Sequence, residues 1–238
     1  MLAHEPTEMT AAIHSAQATA GLYGPLPLSR TSQLLLPPLI NSAAADPSPR
    51  NLHSRSELAR EVICDAAIRE SVRQLFGQGY QLWRTNFFHR ATGTPHAGVG
   101  WHHDKHFQNG DDLVDFNEVG DHISIVIALD QIDHTNGPFQ YIPGSFSGVV
   151  SGLDRDTRPY HKRSIEDHFL TLPAEITTMA VLMPIPAGHF CIFQSALLHG
   201  SPPSGGAVSR TSMVGRLVRN HCHIPEACAA PEEISQYC

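Results

Sequence analysis

Short apolar runs separated by turn residues fill the chain from about Tyr80 onward. Each run has the length of a strand, and the intervals contain turn signals such as Asn136-Gly137-Pro138 and Pro143-Gly144-Ser145. No long helical pattern lies between the runs, which disfavours a parallel sheet built from strand–helix–strand units. The pattern predicts a mainly β fold, a sandwich or jelly roll, in one domain. The predicted strands are Gln81–Phe88, His122–Leu129, Phe139–Ile142, Thr177–Leu182, His189–Phe193 and Ser209–Val218.

One helical pattern precedes these strands. Ser54 and Glu57 have the spacing of a capping box, and apolar residues behind them recur every three or four positions as far as Gly77. We therefore expect one amphipathic helix that packs on the core and carries no chemistry. Its apolar positions are Leu58, Val62, Ile63, Ala66, Val72, Leu75 and Phe76.

The first part of the chain is rich in Ala, Ser and Pro. Pro6–Ala20, ended by Gly21, predicts one short helix, whereas the prolines between Pro25 and Pro49 are expected to break regular structure repeatedly. We expect residues 1–50 to form a partly irregular arm over the core. Residues 51–238 are expected to form a single domain, with the β core at about 80–220.

Composition and charge are those of an ordinary soluble globular protein. The 238 residues carry a formal net charge of −7, which argues against nucleic acid or an anionic membrane as a partner. The start of the chain lacks a basic segment followed by a long apolar run. A secretory signal or a membrane span is therefore not expected, and the default location is cytoplasmic. Cys64 and Cys191 lie in apolar runs and are expected to be reduced and buried.

The chain has 16 histidines, so a single histidine does not indicate a metal site. Only a combination of potential ligands at suitable positions does so. In the segment 101–104 (Trp-His-His-Asp), a regular strand projects His102 and Asp104 to one face and His103 to the other. A third ligand must come from elsewhere, and His199, at the end of a later apolar run, is the candidate. Two histidines and one carboxylate around open positions are typical of non-haem iron(II) oxygenases.

Arg210 follows His199 by eleven positions, across a turn rich in Gly and Pro. A guanidinium on this returning strand is able to hold a remote carboxylate in bidentate geometry, which a lysine does not match. Alternation places Arg210, Ser212, Val214 and Arg216 on one face of the strand. We expect at least the first two to line a cavity.

The order of these features resembles the phytanoyl-CoA dioxygenase-like (PhyH) family of Fe(II)/2-oxoglutarate-dependent oxygenases. The matching features are His-x-Asp at 102–104 and His199 with Arg210 at plus eleven. Asn136–Ser145 resembles the family's NGPL…IPGS segment, and 199–201 (His-Gly-Ser) resembles its distal HGS. The resemblance covers roughly Gln81 to Arg219.

The resemblance implies a double-stranded β-helix, a cupin-like jelly roll, with flanking N-terminal helices. It implies that His102, Asp104 and His199 ligate iron(II). By the same resemblance, the distal carboxylate of the cosubstrate 2-oxoglutarate contacts Arg210 with help from Ser201. Asn86 falls near positions that contact the cosubstrate in the family, and O2 is the oxidant.

The implied activity is hydroxylation of an unactivated C–H bond in a small metabolite, with release of succinate and CO2. Candidate substrates are an amino acid, an amine or an intermediate of secondary metabolism. Asp104 favours hydroxylation over halogenation, because in related iron halogenases a small residue replaces this carboxylate and leaves room for chloride. Two alternatives are a cupin-type metal enzyme that does not use 2-oxoglutarate and a non-catalytic metal- or ligand-binding β-barrel. Arg210 disfavours the first of these, and the complete ligand triad disfavours the second.

Two further clusters have weaker implications. The acidic stretch Asn109–Asp121 is better interpreted as a solvated loop than as a lid that recognises a cationic substrate. His221, Cys222, His223 and Cys228 have the residue types of a zinc site, but their spacing is not typical of one.

Overall fold

The computed structural model describes residues 20–46, 50–104, 106–109, 112–116, 118–147, 169–226 and 234–237, with 106–109 and 112–115 described as backbone only. The strands are β1 (Leu22–Pro27), β2 (Tyr80–Arg90), β3 (Val99–His102), β4 (His106–Asn109), β5 (Asp112–Asp115), β6 (His122–Ala128), β7 (Phe139–Tyr141), β8 (Val181–Met183), β9 (His189–Gln194), β10 (His199–Ser201), β11 (Arg210–Arg219) and β12 (Ser235–Gln236). The helices are α1 (Arg30–Ala45), α2 (Glu57–Ile63), α3 (Ala66–Phe76) and α4 (Ala174–Thr177), with 3-10 turns at Leu52–Ser54 and Ser145–Ser147.

Two antiparallel sheets form the body of the molecule. The six-stranded sheet has the order β1-β9-β6-β11-β2-β12, and the four-stranded sheet has the order β3-β10-β7-β8. Strands β4 and β5 pair separately as a hairpin. Apolar side chains from both sheets meet in one core, among them Val126 and Phe193 from the larger sheet and Phe139 from the smaller. The predicted jelly roll with flanking helices is confirmed.

The largely apolar sequence of β6, in which only His122 and Ser124 are polar, reflects burial on both of its faces. All seven residues of the strand are buried. Ile123, Ile125 and Ile127 pack in the core under α2 and α3, whereas Val126 and Ala128 pack between the two sheets. A strand covered on both faces needs no alternation of apolar and polar residues, because neither face meets water.

The single helix predicted between Ser54 and Gly77 is two helices. Ser56, and not Ser54, caps α2, where its side chain accepts a hydrogen bond from the Ala59 N–H at 3.3 Å. Asp65 interrupts the pattern and caps α3, where its carboxylate accepts from the Ala67 N–H at 2.7 Å. An aspartate between two amphipathic segments is a typical helix start, and this signal divides the run.

The prediction of repeated breaks between Pro25 and Pro49 is wrong at α1. This helix runs through Pro37 and Pro38, and Ser29 caps its N-terminus. The cost of two prolines in a helix is offset by packing, because Leu36 and Leu39 are buried in the core under the larger sheet. Residues 1–19 lie outside the described residues, so the helix at Pro6–Ala20 stays a prediction.

Five of the six predicted strands are found with small shifts at their ends. The sixth, Thr177–Leu182, is wrong at its start, because α4 ends at Thr177 and β8 begins at Val181. The unpredicted strand β1 contains Pro25 and Pro27 and lies at a sheet edge, where proline is tolerated.

Of the two cysteines that were expected to be reduced, one is a free thiol and the other is in a disulfide. Cys191 is free and buried, as expected. Cys64 is disulfide-bonded, and its partner lies outside the described residues.

Among the described residues, no helix has both the length and the apolar character needed to cross a bilayer.

Asp65 joins two helices, since its carboxylate also accepts from the backbone N–H of Ser29 at 3.1 Å and from the Ser29 hydroxyl. Replacing Asp65 with Ala is expected to lower the free energy of unfolding by about 2 to 3 kcal/mol, because it removes a cap and leaves the Ser29 N–H without an acceptor. The matched control Ser56→Ala removes only a cap and should cost about 1 kcal/mol. Urea unfolding measures both, and equal losses would contradict the joining role.

The same carboxylate makes stability depend on pH. Burial by itself raises the pKa of Asp65, but hydrogen bonds from Ser29, Ser32 and the Ala67 N–H hold it below its usual value of 3.8. The stabilisation is therefore fully present above pH 3.8 and is lost as the pH falls through the lower pKa of the folded state. Asp65→Ala should lose this part of the acid dependence in urea titrations made at several pH values.

Candidate functional site

Strands β3 and β10 bring the first and third predicted ligands together. His102 and His199 are direct partners in the antiparallel register of these strands, and their ring centroids are 4.2 Å apart. Asp104 joins them, and the potential ligand atoms of the three side chains all lie within 4.8 Å of one another. Two segments remote in sequence thus place two imidazoles and one carboxylate at one point.

Asp104 reaches this position in a different way from that expected. Strand β3 ends at His102, so regular alternation does not carry the carboxylate to the same face. The Asp104 N–H instead donates to the carbonyl of Ser195 at 2.7 Å, in the connection between β9 and β10. A loop hydrogen bond therefore positions Asp104 beside the histidines. Because the strand ends, the expectation that His103 points outward by alternation does not apply, and its ring is half-buried.

Both imidazoles are oriented by backbone carbonyls. Nδ1 of His102 lies 2.9 Å from the Gly100 carbonyl oxygen, and Nδ1 of His199 lies 2.9 Å from the Leu197 carbonyl oxygen. A carbonyl only accepts, so Nδ1 carries a proton in each ring and Nε2 is the ring nitrogen available to a metal. Burial, followed by the nearby His102, lowers the pKa of His199 to about 3, which keeps its ring neutral.

Asp104 is held as a carboxylate by a cation that the sequence did not identify as its partner. Ser124 donates to Asp104 Oδ2 at 2.7 Å, and Arg216 Nη2 lies 3.2 Å from Oδ1. Burial alone raises the pKa of Asp104, but the Arg216 guanidinium holds it well below its usual range. The β11 alternation contained the signal, because it placed Arg216 on the face of Arg210.

Asn86 lies behind this pair. Its side-chain oxygen accepts from Arg216 Nη1 at 2.8 Å, so one guanidinium connects Asn86 with Asp104. Asn86 is not among the residues that line the cavity over the three potential ligands. Its contact with the cosubstrate stays a prediction.

A cavity of about 530 Å³ is lined by the three potential ligands. Arg210, Ser212, Val214 and Arg216 all line it, and this confirms the expectation that at least the first two would do so. Apolar walls complete the cavity, and these include Val99, Val126, Phe139 and Phe193. A cavity of this size and lining accommodates a small molecule.

Arg210 and Ser201 both line this cavity, and their predicted contact with the cosubstrate stays a prediction. Arg210 is buried, and its Nη1 donates to the Gly137 carbonyl. Ser201 Oγ accepts from Arg90 Nη2 at 2.6 Å. Sequence reasoning missed Arg90, which pairs with Arg210 in the register of β2 and β11. Burial and then Arg90 lower the pKa of Arg210 to about 10, so that Arg210 is a cation at neutral pH.

The turn Asn136-Gly137-Pro138 lies against both the start of β11 and the side chain of Arg90. Asn136 Nδ2 donates to the carbonyls of Gln131 at 2.7 Å and Ser209 at 3.0 Å, which fixes the turn against the start of β11. Gly137 has φ +88°, and a Cβ there would lie 2.5 Å from Arg90 Nη1. Glycine is therefore required both by the backbone conformation and by the close approach of a guanidinium.

The C-terminal zinc hypothesis fits the structure only in part. His221 and Cys222 lie near Asp121, with potential ligand atoms within 4.8 Å of one another, and His223 is not in this group. His221 Nε2 is 3.1 Å from Asp121 Oδ1, and the His221 side chain is 70% exposed. Cys228 lies outside the described residues.

The acidic stretch Asn109–Asp121 has few described side chains. Those of 106–115, which include three of its aspartates and the nearby His106, are outside the described part, so neither interpretation of the stretch is tested.

Known structures share this fold at low sequence identity. The apo structure of EctD from S. alaskensis has 16% identity and a TM-score of 0.69, over 100% of this chain and 89% of that one. The epimerase SnoN, in complex with Fe3+, alpha-ketoglutarate and nogalamycin RO, has 14% identity and a TM-score of 0.69, over 93% and 89%. The apo non-heme monooxygenase ThoJ has 17% identity and a TM-score of 0.66, over 89% and 78%. These similarities establish the fold.

A search of curated protein sequences finds no match. The model of one protein family does match, and it is described as phytanoyl-CoA dioxygenase (PhyH). The match covers residues 40–212, which include His102, Asp104, His199 and Arg210. Fe(II) and 2-oxoglutarate are the cofactors of this family, and the donor set and the buried arginine fit both. The chain belongs to the phytanoyl-CoA dioxygenase family of non-haem iron, 2-oxoglutarate-type enzymes.

Proposed function

We propose that this protein is an iron(II)- and 2-oxoglutarate-dependent dioxygenase that hydroxylates a C–H bond of a small metabolite. The observation that carries the proposal is one cavity that contains a 2-His-1-carboxylate group and a buried arginine. A dicarboxylate cosubstrate needs both features, because one end binds a metal and the other needs a fixed cation.

Each residue of the site has a defined task in this proposal. His102 and His199 offer their Nε2 atoms, and Asp104 offers one carboxylate oxygen that partly neutralises a divalent charge. Arg216 and Ser124 hold Asp104 in place. Arg210 fixes the distal carboxylate of the cosubstrate. Iron(II) with bound 2-oxoglutarate supplies the oxygen activation that amino-acid side chains do not provide.

The walls of the cavity suit a small substrate. Val99, Phe139 and Phe193 exclude water from the space over the ligands, which protects a reactive site from side reactions. The presence of Asp104 leaves no vacant ligand position of the kind that halogenation requires, and this supports hydroxylation. EctD and SnoN share the fold, and SnoN was solved with nogalamycin RO, which supports a substrate from secondary metabolism.

Epimerisation is the second candidate function. SnoN is named an alpha-ketoglutarate dependent epimerase. A second crystal structure of SnoN matches 88% of this chain with a TM-score of 0.64. A reaction that inverts a stereocentre of the substrate would use the same metal-binding and cosubstrate-binding residues. The two reactions differ in whether oxygen enters the product.

Anaerobic addition of iron(II) and then 2-oxoglutarate tests the site directly. We expect a weak visible charge-transfer band, because a keto acid chelates the metal through open positions. His199→Ala and Asp104→Ala should lose the band, since each removes one of three protein ligands. His221→Ala, which changes a histidine outside the cavity, is the matched control and should keep it. A correctly folded, metal-loaded protein without the band would contradict the proposal.

Arg216→Met tests the partner of the metal-binding carboxylate. Loss of the guanidinium leaves Asp104 buried without its cation, and we expect iron(II) affinity to fall by about 10- to 100-fold. Arg219→Met, on the same strand but outside the cavity, should leave the affinity unchanged. Metal titration by calorimetry measures both variants, and equal affinities would contradict the role of Arg216.

Asn86→Ala separates the two roles considered for Asn86. An action through Arg216 predicts weaker iron(II) binding, because the guanidinium loses one of its two acceptors. A direct cosubstrate contact predicts weaker 2-oxoglutarate binding at unchanged iron affinity. The geometry favours the first result.

A substrate screen distinguishes the two reactions. Amino acids, small amines and secondary metabolites are incubated with the iron-loaded protein, 2-oxoglutarate and oxygen, and succinate is measured alongside product mass. Hydroxylation predicts a product that gains one oxygen atom for each succinate released. A product of unchanged mass and inverted configuration would favour epimerisation instead.

A further inference from the structure

Two guanidinium groups converge on one end of the cavity, although a single distal carboxylate is expected there. Arg90 at the end of β2 and Arg210 at the start of β11 are partners in the strand register, and both line the cavity. Ser201 lines the same end. The further inference concerns Arg90, and it rests on the proposed use of 2-oxoglutarate.

The contacts of Arg90 place it at the same subsite as Ser201. Arg90 Nη2 donates to Ser201 Oγ at 2.6 Å, and its Nη1 donates to the Asn136 carbonyl at 3.3 Å. Arg210 Nη1 donates to the carbonyl of the next residue, Gly137. The two guanidiniums are therefore held by consecutive peptide groups of one turn, which fixes their separation and direction.

The groups that accept hydrogen bonds from Arg90 and Arg210 are all neutral in the contacts described above. Backbone carbonyls and one hydroxyl accept from them, and Asp130 is the carboxylate that acts on Arg210 at longer range. Asp130 Oδ1 already accepts from the Thr211 N–H at 2.6 Å. His96 also lines the cavity, and its Nδ1 accepts from the Gly98 N–H at 3.0 Å. Among the residues that the structure describes, this end of the cavity therefore has an excess of positive charge.

Arg210 is buried and Arg90 is half-buried, so solvent screens the repulsion between these neighbouring cations less than it would in open water. A bound carboxylate reverses this balance, since its two oxygens offer enough lone pairs to accept from two guanidiniums at once. A charge that is unfavourable in the empty cavity thus becomes binding energy for an anion. This arrangement favours a carboxylate over an uncharged group at this end of the cavity.

We propose that Arg90 is a second cosubstrate-binding residue, which holds the distal carboxylate of 2-oxoglutarate together with Arg210 and Ser201. The alternative, that Arg90 binds an anionic group of the substrate, is less consistent with its hydrogen bond to Ser201 and with the turn that it shares with Arg210. A consequence is strict selection for a dicarboxylate, because a 2-oxo acid without the distal carboxylate leaves two cations uncompensated.

The test compares two ligands in two proteins. The wild-type protein and Arg90→Gln are loaded anaerobically with iron(II) and titrated with 2-oxoglutarate or with 2-oxopentanoate, which has a methyl group in place of the distal carboxylate. The visible charge-transfer band reports binding in each case. Arg90→Gln is expected to weaken 2-oxoglutarate by about 10-fold or more, as the loss of a charge-assisted hydrogen bond does, and to change 2-oxopentanoate little.

Arg219→Gln is the matched control. This arginine also lies on a strand of the larger sheet, but its guanidinium donates to the carbonyls of Gln78 and Phe76 outside the cavity. It should bind both ligands as the wild type does. If Arg90→Gln does not fold, Arg90→Lys keeps the charge without the planar fork and should give a smaller loss that is still confined to 2-oxoglutarate.

The outcomes separate this inference from the proposed function. Equal losses for both ligands would show that Arg90 only supports the fold, and unchanged 2-oxoglutarate binding would also overturn the assignment. A variant with normal cosubstrate binding but a raised KM for the substrate would assign Arg90 to the substrate instead. A wild-type protein that gives no band with either ligand would contradict the proposed function itself.

Discussion

The pairing of β11 with β2 on one side and β6 on the other is the constraint on which the cavity depends. This register places Arg210 opposite Arg90 and Arg216 opposite Ser124. Since side chains alternate along a strand, both arginines of β11 face the same cavity at opposite ends. A slip of one residue would turn them into the core under the helices, so register fixes the chemistry as well as the packing.

The charged groups at the two ends of the cavity have different kinds of partner. At the end with the candidate metal ligands, Asp104 and Arg216 form an ion pair, and the Ser124 hydroxyl donates to the second carboxylate oxygen. At the other end, Arg90 and Arg210 are held by neutral acceptors. Breaking a buried pair is costly, whereas an uncompensated pair of cations favours a bound anion. One end thus retains a fixed geometry, and the other is prepared for a ligand.

Backbone groups do much of the positioning. Carbonyls of Gly100 and Leu197 set the imidazole rings, and the Ser195 carbonyl holds the Asp104 backbone. The Asn136-Gly137 turn provides the acceptors for both cavity arginines. Because these groups belong to every residue type, the sequence around them carries little signal except where glycine is required, as at Gly137.

The sequence by itself determined the fold class and predicted most residues of the candidate site. Strand-length apolar runs with Gly and Pro turns fixed a mainly β domain, and the spacing of His102, Asp104, His199 and Arg210 indicated the family. These signals are local or rest on order along the chain. The split at Asp65 was also present as a helix cap, but the apolar periodicity across it obscured the break.

Only the tertiary structure decided which side chains meet. It joined Arg216 to Asp104, placed Asn86 behind that pair, and brought Arg90 to Ser201 across more than a hundred residues of sequence. It also accommodated two prolines in α1, because burial of Leu36 and Leu39 outweighs the local preference. Pairings of this kind depend on strand register and loop paths, which arise from the packing of the whole domain, and no single segment encodes them.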